Sequence, residues 1–418
     1  MAIASFHVEG YGCSMNRADT EAIRGFLCAN GLTQAPLSGA DCIIINTCAV
    51  KEQTENRMLN RIRKLWLRCK MQNSQLIVFG CLPKVSAEKI SEISNEIVQI
   101  GPELSGLAEF LNLPAHEFGP AIDEVRGNPH IAIIPISRGC TGACTYCATV
   151  NARGKLKSYG MREINKKFRR ALSQGVKEFW LTAQDCGCYG FDRKPRTDLP
   201  ALLELLLKNK GDYRVRVGMM NPQHLHSFYS RYITLLRDER MYKFMHIPLQ
   251  SGSERILKLM NRPYSAHSFL ALARRLRKDL PSATISTDVI IGFPTETEND
   301  FRSTVSLLKE FSPDIVNISR FGARPNTMAA DMKQIHGRVK KARSRILSEL
   351  CAEIAVSRNK RMVGKSVRIL IAEYGAKGGY LGRTENYKPV PLKKDMRGQF
   401  ADAIITSTGR AHLNARLV

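Results

Sequence analysis

Six of the twelve cysteines stand where they could do chemistry. Cys140, Cys144 and Cys147 lie in SRGCTGACTYC (137–147), at intervals of four and three. Three thiolates in one short loop can hold three irons of a cubane cluster. Gly139 and Gly142 let the backbone wrap closely around a metal. A zinc site needs a fourth local ligand, but the nearest upstream histidine, His130, lies on the far side of a strand and none is close downstream. The second set is dispersed. Cys13, Cys48 and Cys81, in YGCSMN, NTCAV and FGCLP, each follow an apolar strand-like run by a few residues or less. In a parallel doubly wound sheet such strand ends share one edge, so distant cysteines can converge there. Each set is one ligand short of four.

The elements that must position these residues are α/β. Residues 1–113 alternate strand-like runs (IASFHV, CIIIN, QLIVFG, EIVQI) with helical stretches over 17–29, 52–68 and 87–94, which implies an N-terminal doubly wound parallel sheet. Residues 114–129, with three prolines and two glycines, read as a linker. A second alternating series fills 130–359. Its strands are IAIIPIS, EFWLTA, YRVRVG, KFMHIPL, TISTDVII and DIVNIS, and helical periodicities separate them. Six β/α units in a row predict a central partial barrel closed by a long helix over about 339–363, with the active site at the strands' C-terminal ends. Residues 360–418 change to short strands and turns, a small all-β module of OB-like size. Cys28, Cys42, Cys69 and Cys351 fall within helix or strand patterns and read as core. Cys186 and Cys188, in TAQDCGCYG, follow the second barrel strand, where their role is open.

The charge is lopsided: 63 Lys and Arg against 38 Asp and Glu give +25 at pH 7. That favours a polyanionic partner, nucleic acid first and an anionic membrane surface second. The C-terminal module alone carries twelve basic against four acidic residues. No apolar run approaches the roughly 20 residues of a membrane helix. Neither end reads as a signal peptide or tail anchor, so the expectation is a cytosolic protein without membrane association.

CTGACTYC resembles the Cys-x3-Cys-x-aromatic-Cys loop of the radical S-adenosylmethionine enzymes. The resemblance implies a 4Fe-4S cluster on Cys140, Cys144 and Cys147 whose fourth iron takes S-adenosylmethionine. The whole chain resembles the methylthiotransferases of that family, which join an N-terminal three-cysteine domain, a radical core and a C-terminal TRAM module. Two 4Fe-4S clusters and S-adenosylmethionine are then the implied cofactors, the auxiliary cluster resting on Cys13, Cys48 and Cys81. NARGKLKSY (151–159) and WLTAQDCGCYG (180–190) are similar to the archaeal–eukaryotic branch, which acts on N6-threonylcarbamoyladenosine beside the anticodon of tRNA. The implied chemistry also calls for an electron donor of flavodoxin or ferredoxin type and a sulfur source.

Further residues take expected roles within this resemblance. Tyr146, Gln184, Asp185, Gln250, Ser251 and Gly292 are placed to bind S-adenosylmethionine, with Tyr146 and Gly292 near the adenine. A threonyl carboxylate beside the reacting base asks for a cation, and Arg153, Lys155 and Arg324 are the candidates. In the C-terminal module Lys393, Lys394 and Arg397 are expected on tRNA phosphates, with Tyr380 and Tyr387 stacking on bases. Two other readings compete. One is a methylthiotransferase acting on isopentenyladenosine or on a ribosomal-protein aspartate, which charge and branch motifs disfavour. The other is a non-enzymatic iron–sulfur RNA-binding protein, which would not need Gln184, Gln250 or a six-unit barrel.

Overall fold

The computed structural model describes residues 3–49, 51–376 and 378–418. The chain opens as β1 (Ser5–Gly10), α1 (Ser14–Ala29), β2 (Thr33–Gln34), β3 (Cys42–Thr47), α2 (Glu52–Gln72), β4 (Gln75–Gly80), α3 (Cys81–Val85), α4 (Ala87–Ser91), β5 (Val98–Ile100) and α5 (Leu104–Phe110). The strands form one sheet in the order β2-β1-β3-β4-β5, parallel throughout. β3 and β4 are apolar along nearly their whole length because helices cover both faces. The expected doubly wound sheet is present, with the short edge strand β2 added. Cys42 and Cys69 are buried as expected, but Cys28 faces outward on the last turn of α1. Residues 114–129 hold neither helix nor strand, yet they pack tightly. A Cβ on Gly25 of α1 would lie 1.8 Å from the Asp123 carbonyl, and Phe118 packs edge-on against Phe79.

The central region begins with β6 (Ile131–Pro135), a small antiparallel pair β7 (Ser137–Arg138) and β8 (Lys157–Ser158), and between them α6 (Thr149–Arg153). There follow α7 (Met161–Ser173), β9 (Glu178–Thr182), α8 (Leu199–Leu207), β10 (Arg214–Val217), α9 (Pro222–Leu236), β11 (Phe244–His246), α10 (Glu254–Leu259), α11 (Ala266–Asp279), β12 (Thr284–Ile291), α12 (Glu298–Phe311), β13 (Ile315–Arg320) and α13 (Gly337–Lys360). The six long strands run parallel in two arcs, β6-β9-β10 and β11-β12-β13, joined by the bridge Val215–Met241. This is the expected open barrel, its helices packed outside over one large apolar core.

The last region is a five-stranded antiparallel sheet, β16-β15-β14-β17-β18, with β14 (Ser366–Tyr374), β15 (Tyr380–Thr384), β16 (Pro389–Leu392), β17 (Gln399–Thr408) and β18 (Leu413–Leu417). It closes the barrel from below, at the strands' N-terminal ends. Tyr387 is buried against Tyr242 and Phe244, ring centroids 4.7 and 5.0 Å away. The expectation that Tyr387 stacks on RNA bases is therefore corrected: docking of the module takes its ring out of solvent. A buried charge cluster locks the same junction. Asp314 meets Lys388 Nζ at 2.9 Å, Arg277 at 2.6 Å and Arg358 at 3.3 Å. No helix among the described residues is long and apolar enough to cross a membrane.

Candidate functional site

Cys140, Cys144 and Cys147 occupy the loop between β7 and α6, beyond the C-terminal end of β6. Gly139 turns this loop with φ +71°, and a Cβ there would lie 2.0 Å from the Lys155 carbonyl, so only glycine fits. A Cβ on Gly142 would meet Cys140 Sγ at 3.3 Å and Cys144 Sγ at 3.7 Å, and Gly142 N–H donates to Cys140 Sγ at 3.2 Å. Burial, partly offset by that N–H, pushes the Cys140 thiol up to about 11, and the charges of Asp185, Cys147 and Cys144 add to it. As a free thiol Cys140 keeps its proton; a metal must displace it. A brace from the fourth β/α unit holds the loop in place: Thr145 Oγ1 donates to the Leu259 carbonyl at 2.8 Å, Asn261 Nδ2 to the Ala143 carbonyl at 2.8 Å, and Arg262 Nη1 to Cys144 Sγ at 3.1 Å. Arg262 also donates to Tyr264 Oη at 2.9 Å and to Asn221.

The second triplet converges as the sheet topology requires. Cys13 precedes α1, Cys48 follows β3 and Cys81 opens α3 directly after β4. A Cβ on Gly12 would lie 2.4 Å from Cys48 Cβ. Cys81 is buried, which raises its thiol, while Arg153 pulls it back and Cys13 pushes it up again. Asn16 ties the loops together. Its Nδ2 donates to the Tyr11 carbonyl at 3.0 Å and to the Thr47 carbonyl at 2.7 Å, the residues flanking Gly12–Cys13 and Cys48. Each triplet thus brings cysteines together beside glycines that admit a close approach, a donor set that suits a cubane with one open iron.

The loops that carry the two triplets meet across the domain boundary. Ser14 Oγ lies 2.6 Å from Thr182 Oγ1 at the end of β9, so α1 packs beside the barrel mouth. Asp19 of α1 pairs with Arg138 at 3.1 Å and Arg153 at 2.8 Å, the two arginines that bracket the Cys140–Cys147 loop. Arg153 further donates to Asn16 Oδ1 at 2.7 Å and to Cys81 Sγ at 3.3 Å. In the barrel, His246 Nε2 at the end of β11 lies 2.7 Å from Asp288 Oδ2 on β12, and Asn317 of β13 donates to Asp288 Oδ1 at 2.9 Å. Burial alone would push the Asp288 carboxyl up, but His246, Asn317 and the charge of Lys51 bring it below the usual range.

The remaining expected site residues fall in different places. Gln184 and Gln250 each have a sealed Oε1 with no hydrogen-bond partner in the protein, acceptors that suit an ammonium group. Tyr146 packs edge-on to Phe293 at 6.2 Å, half-buried beside its cysteines. Asp185 holds its own loop and α9: it accepts from Gly187 N at 2.9 Å, Asn221 N at 3.1 Å and Asn221 Nδ2 at 2.6 Å. It also lies within 4.8 Å of Cys188 and His224 as a third possible metal-ligating group, though its oxygens are already engaged. Ser251 caps a buried turn, accepting from Ser253 N at 3.2 Å. The close approach that Gly292 permits is made by Lys340, 2.2 Å from the position of a Cβ. Cys186 is sealed in the core. Of the three candidate cations, Arg153 is matched by Asp19 and Arg324 by Glu55, both buried pairs. Lys155 is exposed and has no ion-pair partner among the described residues. In the C-terminal module Lys393 and Lys394 are exposed, while Arg397 pairs with Asp395 at 2.8 Å and lies over the Tyr374 ring at 3.9 Å. Tyr374, 65% exposed beside Tyr380, is the open aromatic surface here.

Three family models match the chain: "Uncharacterized protein family UPF0004" over residues 5–101, "Radical SAM superfamily" over 134–308 and "TRAM domain" over 360–418. A "Probable threonylcarbamoyladenosine tRNA methylthiotransferase" of Pyrococcus horikoshii is 37% identical over 99% of this chain and 99% of its own. The "Threonylcarbamoyladenosine tRNA methylthiotransferase" of Homo sapiens is 31% identical over 100% of this chain and 74% of its own. Among solved structures, a radical S-adenosylmethionine methyltransferase from Kitasatospora setae with cobalamin and an iron–sulfur cluster bound superposes with TM-score 0.60. It covers 79% of this chain and 77% of its own at 11% identity, a likeness of fold.

Proposed function

We propose, for a chain that belongs to the tRNA methylthiotransferase family of radical S-adenosylmethionine enzymes, that it adds a methylthio group to C2 of N6-threonylcarbamoyladenosine next to the tRNA anticodon. The observation that carries this reading is the contact of the two cysteine-bearing loops across one boundary, where Arg153, six residues past Cys147, donates to Cys81 Sγ and pairs with Asp19. The cofactors are S-adenosylmethionine and two 4Fe-4S clusters. When bound, the cluster at Cys140, Cys144 and Cys147 supplies the electron that splits S-adenosylmethionine to a 5′-deoxyadenosyl radical, and the cluster at Cys13, Cys48 and Cys81 holds the sulfur to be transferred.

The chain's own residues bind, orient and shield. Gln184 and Gln250 accept from the methionyl ammonium through their unpartnered Oε1 atoms, and Tyr146 walls the adenine side. His246, fixed by Asp288, presents its other ring nitrogen to the substrate base. Lys155, the cation left unmatched, meets the threonyl carboxylate. Apposition of α1 on the barrel mouth keeps water from the radical. By region, 1–113 carries the auxiliary cluster, 130–359 the radical chemistry and 360–418 the tRNA contact, with 114–129 as the packed connection. The reaction takes place in the cytoplasm, with an electron donor of flavodoxin or ferredoxin type and a separate sulfur source.

The test is chemical. Anaerobic, reduced protein should cleave S-adenosylmethionine to 5′-deoxyadenosine. Replacing Cys140, Cys144 and Cys147 by Ala should remove about half the iron and all cleavage. Replacing Cys13, Cys48 and Cys81 should remove the other half, keep cleavage and abolish the methylthio product. If the second triple variant, still folded, also lost the first cluster, the separate-site reading would be wrong.

A further inference from the structure

We propose that Arg153 is a positioning residue that registers the two cysteine sites on each other and raises the reduction potential of the cluster at Cys13, Cys48 and Cys81. This rests on the reading that each triplet holds a cluster. Arg153 ends α6, which begins two residues beyond Cys147, so its backbone belongs to the S-adenosylmethionine loop. Its guanidinium belongs to the other site. Nε donates to Cys81 Sγ at 3.3 Å and Nη2 to Asn16 Oδ1 at 2.7 Å. Asn16 in turn holds the carbonyls of Tyr11 and Thr47, so a single side chain reaches Cys81 directly and the Cys13 and Cys48 loops through one intermediary. Nη1 is buried with no partner in the protein, a further donor left over at the site.

Two features separate this arrangement from an ordinary buried ion pair. Asp19, 2.8 Å from Nη2, offsets the charge of Arg153, so its influence on the cluster comes from the directed N–H···S bond rather than from a net field. Asp19 also holds Arg138, at the other end of the cysteine loop, which fixes both ends of that loop to the helix that starts beside Cys13. A hydrogen bond to a ligating sulfur stabilises the reduced, more negative cluster, and hydrogen bonds to the sulfurs are among the main determinants of cluster potential. At a site with Arg153 only 9% exposed, water does not replace a lost donor. Loss of the bond therefore makes the auxiliary cluster harder to reduce.

The experiment uses full-length protein with Cys140, Cys144 and Cys147 replaced by Ala, so that only the auxiliary cluster remains, titrated redox-potentiometrically by electron paramagnetic resonance. Two variants are compared: Arg153→Lys, and Arg153→Met combined with Asp19→Asn to avoid an uncompensated buried carboxylate. With iron content unchanged, each should shift the one-electron reduction equilibrium about tenfold towards the oxidised cluster, which is about 59 mV to more negative potential. Arg262→Met, which removes a buried guanidinium bonded to Tyr264 and Asn221 and not to the auxiliary cysteines, should leave this potential where it was. Unchanged potentials at full iron loading in both Arg153 variants would overturn the proposal alone. A background protein that binds no iron would overturn the cluster reading and this proposal with it.

Discussion

Replacing Glu21 by glutamine should stabilise the protein increasingly as the pH rises. Glu21 lies on α1, 6% exposed, with Oε1 accepting from Gly127 N at 3.1 Å and Oε2 without a hydrogen-bond partner. Burial pushes its carboxyl from 4.5 up to about 7. The Glu124 charge adds to the rise, while Gly127 N–H, Arg17 and Lys167 oppose it. A folded-state pKa above the unfolded one means that the stability is fully present below about pH 4.5 and is lost as the pH climbs through about 7. At about 1.36 kcal/mol per unit, a rise of about 2.5 units corresponds to a penalty of about 3 kcal/mol above neutrality. At pH 5.5, one unit into the window, it is about 1.4 kcal/mol. Glutamine keeps the acceptor for Gly127 and cannot ionise. Anaerobic urea unfolding of wild type and Glu21→Gln at pH 5.5 and pH 8.5 measures the difference. The advantage of the variant should about double between the two. An equal advantage at both pH values, or none at either, would refute the argument.

Asp314→Asn strips the counter-charge from buried Arg277, Arg358 and Lys388 and should cost about 3–5 kcal/mol, seen as an earlier urea midpoint with the C-terminal module becoming protease-sensitive. In wild type the neighbouring cations hold the Asp314 carboxyl far below its usual range against the opposing pull of burial. Its contribution is therefore present above about pH 4 and fades only as the pH falls below that. Lys393→Ala with Lys394→Ala should weaken tRNA binding and flatten the log–log salt slope by about 1.8, read by filter binding over a salt series, since both lysines are exposed. Lys155→Met should lower methylthiolation of threonylcarbamoylated tRNA while leaving tRNA affinity in place.

Local patterns were legible in the sequence. The spacing of Cys140, Cys144 and Cys147 is a property of one loop, and the apolar runs ahead of Cys13, Cys48 and Cys81 mark strand ends whatever packs around them. The groups that set the site's electrostatics were not. Asp19 and Asn16 lie on a helix where polar residues suggest a solvated face, yet both are buried and both bind Arg153 from the barrel. Arg324 reads as a free recognition group, but its partner Glu55 is 269 residues away in sequence. Arg262 sits in a stretch whose turn residues gave no hint that it reaches Cys144. Tyr387 was misread for the same reason: the burial that removes it from solvent is created by another domain. The signal that could have found these residues is polarity where apolar residues are expected, as in Asn46 and Thr47 at the end of the apolar strand CIIINT.

The most direct test is mass spectrometry of nucleosides from tRNA incubated anaerobically with reconstituted enzyme, S-adenosylmethionine, reductant and a sulfide source. The tRNA is supplied either with or without the threonylcarbamoyl group at the adenosine beside the anticodon. The account predicts 2-methylthio product, with one methylthio group per modified adenosine, only from the threonylcarbamoylated substrate. Equal product from both tRNAs, or preference for isopentenyladenosine, would contradict it.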